Sequence, residues 1–316
     1  MSGKVCIKFI IVRPLQSERV VPFLEKLMRK YRRKRYQQKM LEKLPYKETV
    51  VTVMGRQGLE VELPFTGAEL REMEKSYIEN YIQRILDVYD ISGCYLDNEL
   101  SMLKHKFNME KKWILNYLLF EEGLQLFIKE NKIASGSAKF VIIDSGDKKI
   151  QSIMETILNY ANYLTIVTCR LEYFKKIVDA VYEETGLLIN LESYDVKRKI
   201  YGNVIVNLDK EDYRVYSMLE ENSYVIDLQF TDNKLNYLTS RRRDLIILYD
   251  YSILVDDEEL DKELIAEVLL RDNWKISRFI KRVDTALSAD EMNGIVNCYK
   301  LKIRKLEVYS NIKTCM

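Results

Sequence analysis

Apolar and polar residues follow helix-like and strand-like spacings in the first part of this chain. Apolar runs predict strands at residues 4–12, 49–54 and 59–63. Spacing near 3.6 residues predicts helices at residues 17–44, 68–89 and 109–131. Thr66 and Glu69 have the T-x-x-E spacing of a capping box, which places the start of the second helix. The first part is therefore expected to mix helices and strands.

After residue 138 the pattern becomes regular. Short apolar runs predict strands at residues 140–143, 164–167, 187–191, 204–208, 224–228 and 245–248. Amphipathic stretches separate the first three runs, and Gly186 provides a C-cap for the second of these helices. Continuous apolar runs that alternate with helices are typical of parallel strands covered on both faces. The pattern predicts a parallel α/β domain.

The tail is predicted to be helical. Asp256 and Glu259 have the spacing of one capping box, and Ser288 and Glu291 have that of another. Apolar residues then recur at helical spacing and form one face: Met292, Ile295, Val296, Tyr299, Ile303 and Leu306. We expect that face to pack on the N-terminal domain.

A small-residue segment, Ala-Ser-Gly-Ser-Ala at residues 134–138, marks the expected domain boundary. All four prolines lie in the first 64 residues, so the composition also changes along the chain. We predict an N-terminal α/β domain at 1–135, a second domain at 136–255, and C-terminal helices at 256–316. The boundary is expected within about ten residues of Gly136.

Composition limits the function classes. The chain has 316 residues, enough for two domains, with 47% hydrophobic and 31% charged residues. A net charge of +2 points to neither a nucleic-acid nor a membrane partner, and no apolar run approaches a bilayer span. The five cysteines are scattered without a C-x-x-C pair, which favours reduced thiols over a zinc site. We expect a cytoplasmic protein with no metal site.

Three short motifs carry a family resemblance. They are Ile166-Val-Thr-Cys-Arg-Leu171, Val225-Ile-Asp-Leu228 and Leu248-Tyr-Asp250. In the order and spacing of its elements, the stretch from Phe140 to Asp250 resembles the cofactor domain of shikimate dehydrogenases and glutamyl-tRNA reductases. The resemblance covers about a third of the chain. It implies a Rossmann-like parallel-sheet domain between the N-terminal α/β domain and the C-terminal helical segment.

The phosphate-binding loop departs from that family. A working loop has the pattern G-x-G-x-x-G between the first strand and its helix. Residues 144–149 read Asp-Ser-Gly-Asp-Lys-Lys, so only the middle glycine, Gly146, is present. Asp144 places a carboxylate where the pyrophosphate charge would lie, and Lys149 places a long side chain where helix and strand would touch. The loop is degenerate.

Four residues remain candidates for cofactor binding: Ser145, Gly146, Lys148 and Arg170. A helix N-terminus carries unpaired N–H groups and a positive dipole end, and Lys148 could add to its attraction for an anion. Arg170 follows the second strand, where NADP-selective folds place an arginine for the 2′-phosphate. The cofactor would then be NADP. The alternative is that Arg170 is a solvated residue at a helix start.

No catalytic residue can be assigned. His105 is the only histidine and has no nucleophile or carboxylate tied to it by spacing. Thr66 stands where shikimate dehydrogenases would have their catalytic lysine, and an N-cap role explains it better. Glutamyl-tRNA reductases use a cysteine nucleophile in the first domain, but neither Cys6 nor Cys94 lies in a matching motif.

A basic cluster lies at residues 29–39, with two tyrosines among seven basic residues. Its candidate phosphate contacts include Arg29, Lys30, Arg32, Arg33, Lys34 and Arg35. Such a helix could neutralise phosphates while Tyr31 or Tyr36 stacks on a base. The alternative is a solvated helix face, with apolar residues on its other side.

Three functions therefore remain open. The favoured hypothesis is a Rossmann-like protein that lacks catalysis and serves as a binding or assembly scaffold, with a protein partner or with itself. The second is an NADP-dependent oxidoreductase with an atypical phosphate loop, which would bind a nucleotide. The third, and the less favoured, is a nucleic-acid-binding protein that uses the basic helix. No hypothesis requires a membrane partner.

Overall fold

The computed structural model describes residues 7–16, 45–104, 106–107, 111–134 and 138–310. The chain forms two compact units, one of Met1–Lys112 with Asp261–Ser277 and the other of Trp113–Leu260 with Arg278–Met316. The division thus falls after Lys112, whereas the sequence pattern placed it near Gly136. Residues 113–134 belong to the second unit because the first helices after Lys112 pack there.

The described strands are β1 (Ile10–Arg13), β2 (Lys47–Val53), β3 (Arg56–Glu62), β4 (Tyr95–Leu96), β5 (Lys139–Ile143), β6 (Tyr163–Thr168), β7 (Ile189–Ser193), β8 (Val204–Asn207), β9 (Tyr224–Asp227), β10 (Ile246–Val255), β11 (Glu258–Glu259) and β12 (Leu301–Tyr309). The described α-helices are α1 (Gly67–Arg71), α2 (Lys75–Val88), α3 (Ile114–Leu118), α4 (Phe120–Glu130), α5 (Ile150–Leu158), α6 (Leu171–Thr185), α7 (Val215–Met218), α8 (Asp232–Arg241), α9 (Lys262–Asp272), α10 (Trp274–Lys281) and α11 (Ala289–Cys298). A 3₁₀ helix spans Asn98–Leu103.

The first unit contains a four-stranded sheet in the order β2-β3-β1-β4. Strand β1 is parallel to β3 and β4, and β2 pairs with β3 as an antiparallel hairpin. Its core includes Phe9, Ile82 and Leu100, and α9 adds Leu264 and Val268 to the same cluster. Part of the C-terminal segment, helix α9, therefore belongs to the first unit.

The second unit is a doubly wound parallel sheet. Its six parallel strands lie in the order β7-β6-β5-β8-β9-β10. Numbered along the chain from β5, this is the order 3-2-1-4-5-6 of dinucleotide-binding folds. Strand β12 extends the sheet antiparallel to β10. The unit is Rossmann-like, and the predicted fold class is confirmed.

Two predicted helices are each divided in the structure. The helix predicted at residues 68–89 is α1 followed by α2, because Glu74 has an extended backbone and acts as the N-cap of α2. The helix predicted at 109–131 is α3 followed by α4, with a break at Leu119, where φ is −95° and ψ is 13°. Apolar spacing alone does not reveal a one-residue change of backbone angle.

Two predictions for the tail are wrong. Asp256 and Glu259 do not cap a helix, since Glu259 lies in β11. Asp256 and Asp257 both have positive φ and form the two-residue turn between β10 and β11. Asp261 is the N-cap of α9 instead. The last helix ends at Cys298, and Lys300, with φ of 50°, turns the chain into β12. The apolar face predicted to run to Leu306 therefore belongs to a helix and a strand, both in the second unit.

Candidate dinucleotide site

The carboxyl edge of the parallel sheet is where this fold places its ligands. Strand order reverses between β5 and β8, which makes their carboxyl ends the topological switch point. Asp144 follows β5 directly, Thr168 ends β6, and Arg170 is the N-cap residue of α6. Because β5 and β6 are parallel neighbours, these three side chains meet at one edge.

Asp144 and Arg170 form a two-pronged ion pair at this edge. Arg170 Nη2 lies 2.7 Å from Asp144 Oδ1, and Arg170 Nε lies 3.0 Å from Asp144 Oδ2. The Thr168 hydroxyl also donates to Oδ2, at 2.6 Å. The Asp144 side chain is 1% exposed. Its carboxylate is therefore neutralised within the protein, and the arginine fork is turned toward the β5 loop rather than toward solvent.

The remaining groups of the β5 loop are also engaged. Gly146 has φ of 87°, a left-handed conformation that favours glycine, and its N–H donates to Asp144 Oδ1 at 3.0 Å. The Lys148 N–H donates to the Val283 carbonyl at 3.0 Å, while its side chain is exposed. Ser145 Oγ is buried and has no hydrogen-bond partner among the described residues. The four candidate residues lie together, but the backbone N–H groups of Gly146, Lys148 and Arg170 point to protein acceptors.

Asp147 and Lys149 complete the helix start. Asp147 Oδ1 accepts the Lys149 N–H at 2.9 Å, so a protein carboxylate lies where a phosphate would meet the helix N-terminus. Lys149 Nζ donates to Asp147 Oδ2 at 2.8 Å. The same ammonium group lies 5.6 Å from the ring centres of Trp113 and Phe279. Lys149 is therefore held beside an acid and two aromatic rings instead of wedging α5 away from β5.

A second polar cluster lies at the carboxyl ends of β8 and β9. Lys234 Nζ is 2.9 Å from Asp227 Oδ2, and both side chains are completely buried. Asn207 Nδ2 donates to Asp227 Oδ2 at 2.8 Å, and the Tyr216 hydroxyl donates to the same oxygen. Lys234 also donates to the backbone carbonyls of Asp209 and Gln229, the latter at 3.1 Å. This cluster ties the loops after β8 and β9 to α8.

Burial perturbs the tyrosines beside this cluster. The pKa of Tyr216 is well above its usual value, first because of burial and then because of the nearby Asp227 carboxylate. The pKa of Tyr117 is also raised, mainly by burial. Tyr117 accepts a hydrogen bond from Gln229 Nε2 at 3.2 Å. Both phenols are neutral near pH 7 and act as hydrogen-bonding groups.

The other sequence candidates stand as follows. Thr66 caps α1 through the predicted box, since its side chain accepts the Glu69 N–H and Glu69 accepts the Thr66 N–H. His105 and the basic cluster at 29–39, with Arg29, Lys30, Arg32, Arg33, Lys34 and Arg35, lie outside the described residues. The described part of the chain has no cluster of three or more metal-binding side chains. No helix within it is long and apolar enough to cross a membrane.

The sequence did not reveal the partners of these groups. Asp144 and Arg170 are 26 residues apart, and only the pairing of β5 with β6 brings them together. Asp227 lies in the acidic motif of β9, but Lys234 looks like any lysine of an amphipathic helix. A usable signal was the pair of acids in the loop, Asp144 at the first glycine position and Asp147 three residues later.

No protein-family model matches this sequence, and no curated protein matches it significantly. The chain is similar to a chorismate mutase/shikimate 5-dehydrogenase fusion protein from Clostridium acetobutylicum, with 13% identity over 92% of this chain and 96% of that chain, at a TM-score of 0.30. It is also similar to shikimate 5-dehydrogenase from Listeria monocytogenes in complex with shikimate and NAD, with 10% identity over 91% and 96% of the chains and the same TM-score. A third match is 5-ketofructose reductase of Gluconobacter, with 11% identity over 92% and 98%, at 0.30. The strand order of the second unit, rather than these values, identifies its Rossmann-like fold.

Proposed function

We propose that the second unit is a Rossmann-like binding or assembly scaffold that does not use a dinucleotide at its β5 loop. The observation that carries this proposal is the ion pair between Asp144 and Arg170. A carboxylate of the protein lies at the position of the cofactor pyrophosphate, and the arginine that would meet a 2′-phosphate is bound to that carboxylate. Arg170 is therefore engaged by a carboxylate of the protein and is not available to a cofactor phosphate.

Electrostatics argues against displacing this pair. A pyrophosphate at the loop would stand near the carboxylates of both Asp144 and Asp147. A pyrophosphate that drew Arg170 away from Asp144 would free that carboxylate, and two like charges 4 Å apart repel by about 4 kcal/mol at an effective dielectric constant of about 20. The dipole of a helix N-terminus stabilises a bound anion by only about 0.3–2 kcal/mol. Lys148 could contribute, but exposed flexible lysines add little each. We therefore expect very weak binding of NADPH and NADH.

Fluorescence titration with NADPH and NADH tests this proposal. Wild-type protein should show no saturation at micromolar concentrations of either. Asp144→Gly removes the blocking carboxylate and frees Arg170, so binding should appear. The freed arginine should favour NADPH over NADH by about tenfold or more, the worth of one charge-assisted contact. Adding Arg170→Glu to the first substitution should abolish that preference.

Asp195→Gly is a matched control, because it removes an acid from the same unit outside the β5 loop. It should bind neither cofactor. Micromolar binding by the wild type, with no gain in the Asp144→Gly variant, would contradict the proposal. An NADP-dependent oxidoreductase with an atypical phosphate loop would then become the better hypothesis.

A further inference from the structure

One edge of the parallel sheet is unusually bare. Among the described residues, β7 pairs with β6 alone, so its other side is an edge of the described sheet. Residues 194–203 connect β7 to β8 without a helix, and all of them are described. In a doubly wound sheet, helices normally cover both faces, including the face crossed by this connection. Within the part of the chain that the structure describes, the absence of that helix leaves one face of β7 with no helical cover.

Large apolar side chains are exposed beside this edge. Leu164 pairs with Ile189, so the preceding residues, Tyr163 and Leu188, are neighbours at the start of β6 and β7. Tyr163 is 60% exposed and Leu188 is 76% exposed. On the other face of the sheet, α6 buries only Phe174 completely. Exposed aromatic and aliphatic groups grouped beside an open edge are typical of a protein interface.

The backbone of β7 offers unused hydrogen-bonding groups. Immediately after β7, the Tyr194 N–H donates to the Thr168 carbonyl of β6 at 3.2 Å. Backbone groups alternate in direction along a strand, so those of Asn190 and Glu192 also point to β6. Those of Ile189, Leu191 and Ser193 point away from the sheet. Unpaired edges of this kind are templates for another strand.

The side chains of β7 are complementary to those of an identical strand. If two copies of β7 pair antiparallel about Leu191, Asn190 lies opposite Glu192 of the second copy, and the reverse. An amide can donate to a carboxylate across each of these pairs. Within one chain, Asn190 Nδ2 already donates to Glu192 Oε1 at 2.8 Å, which places both side chains on one face.

Helix α6 carries a matching distribution of charge. Exposed Lys175 and Lys176 lie in its first half with one acid, Glu172, which pairs with Lys175 and leaves this half with one excess positive charge. Exposed Glu183 and Glu184 lie near its end. Antiparallel pairing of β7 with a second copy would bring the two α6 helices side by side in opposite directions. The basic half of each would then face the acidic end of the other. This complementarity selects a second copy of the chain as the partner.

We propose that the chain forms a two-fold dimer through β7 and α6, which joins the parallel sheets of two copies into one continuous sheet. The proposal names the partner of the assembly scaffold proposed above and rests on that function. Its centre would be the pair of β7 strands with Leu191 at the two-fold axis, and its rim would be the charges of α6. Leu188 and Tyr163 would lie on the other face of the joined sheet from Leu191.

Sedimentation velocity of the full chain tests the dimer. We expect a species with twice the 37.5 kDa chain mass at micromolar concentration. Changing both Lys175 and Lys176 to Glu should raise the dimer dissociation constant by about tenfold or more, because several ion pairs become repulsive. Adding Glu183→Lys and Glu184→Lys should restore the dimer, which a general folding defect would not allow.

A matched control changes Lys302 and Lys305 to Glu on β12, at the opposite edge of the same sheet. That variant should dimerise like the wild type.

A second disrupting variant is Ser193→Pro. It removes an outward-pointing N–H of β7, a group that makes no hydrogen bond to β6, so this variant should be monomeric. A monomeric wild type, or a dimer disrupted by the β12 control and not by the α6 variant, would overturn the proposal.

The two proposals fail separately. A dimer that binds NADPH would contradict the proposed absence of cofactor use and leave the interface in place. A monomer that binds no NADPH would contradict the proposed dimer interface. The proposal that the β5 loop does not use a dinucleotide would stand, and the partner of the scaffold would be unidentified.

Discussion

At the scale of single residues, the buried ion pair of Lys234 and Asp227 constrains the structure around it. Both side chains are fully buried, and each charge has several hydrogen-bond partners. A buried pair of this kind adds little net stability over apolar residues of the same shape, but removing one partner leaves an uncompensated charge. The pair therefore holds the loops after β8 and β9 in one arrangement.

Lys234→Met should lower the free energy of unfolding by about 3–5 kcal/mol, because Asp227 would remain charged and buried. Adding Asp227→Asn should recover part of that loss. Urea unfolding monitored by circular dichroism measures both changes. Lys210→Met is the control, since Lys210 is exposed in the same unit and should change stability by less than about 0.5 kcal/mol. Equal effects at both lysines would contradict the assigned role.

At the scale of elements, short local signals decide where helices begin and where strands turn. The box of Ser288 with Glu291 starts α11 as its sequence predicts. The acidic run after Val255 has the same composition as a helix start but forms a hairpin turn. Asp256 and Asp257 can adopt left-handed φ, and the pairing of β10 with β11 holds them there.

Two substitutions separate these roles. Asp261→Ala should destabilise the protein by about 1 kcal/mol, because Asp261 Oδ1 accepts the N–H groups of Glu263 and Leu264. Asp257→Gly should leave stability unchanged or raise it by up to about 1 kcal/mol, since φ of 67° suits glycine. Thermal unfolding of both variants provides the comparison. Destabilisation by Asp257→Gly alone would contradict the turn assigned to Asp256 and Asp257.

At the scale of the whole molecule, buried tyrosines make stability depend on alkaline pH. Burial raises the pKa of Tyr117, Tyr216 and Tyr251 above the value of about 10 expected in the unfolded chain. A raised folded pKa means that the folded state holds its proton longer. The stabilisation is therefore complete below about pH 10 and is lost as the pH rises toward the folded pKa.

Guanidinium unfolding between pH 8 and 11 should show nearly constant stability up to about pH 9.5 and then a fall. Each buried tyrosine contributes up to about 1.4 kcal/mol per pH unit above its unfolded pKa. Tyr251→Phe should make the fall less steep by removing one such group. A flat profile from pH 10 to 11 would show that the phenols ionise in place.

The sequence by itself determined much of the second unit. Continuous apolar runs separated by amphipathic helices predicted β5 to β10, because burial on both faces leaves a local signature. Capping boxes at Thr66 and Ser288 and the glycine at 186 were also confirmed, since each depends on residues within one turn. The loss of glycines in the β5 loop was visible for the same reason.

Only the tertiary structure determined which groups pair with the charged side chains of the β5 loop. The presence of Asp144 in the loop predicted that a phosphate would be repelled. The sequence did not show that Asp144 is paired with Arg170, because Arg170 belongs to the next βα unit. The buried Lys234 and the turn at Lys300 likewise depend on neighbours distant in sequence. The apolar residues of β12 continue the helical spacing of α11, so the sequence predicted a helix there. Pairing with β10 makes this segment a strand. Local patterns of apolar and polar residues determine helices and strands. Which charged side chains meet is determined by pairing between distant segments, because residues far apart in sequence come close only when the chain folds.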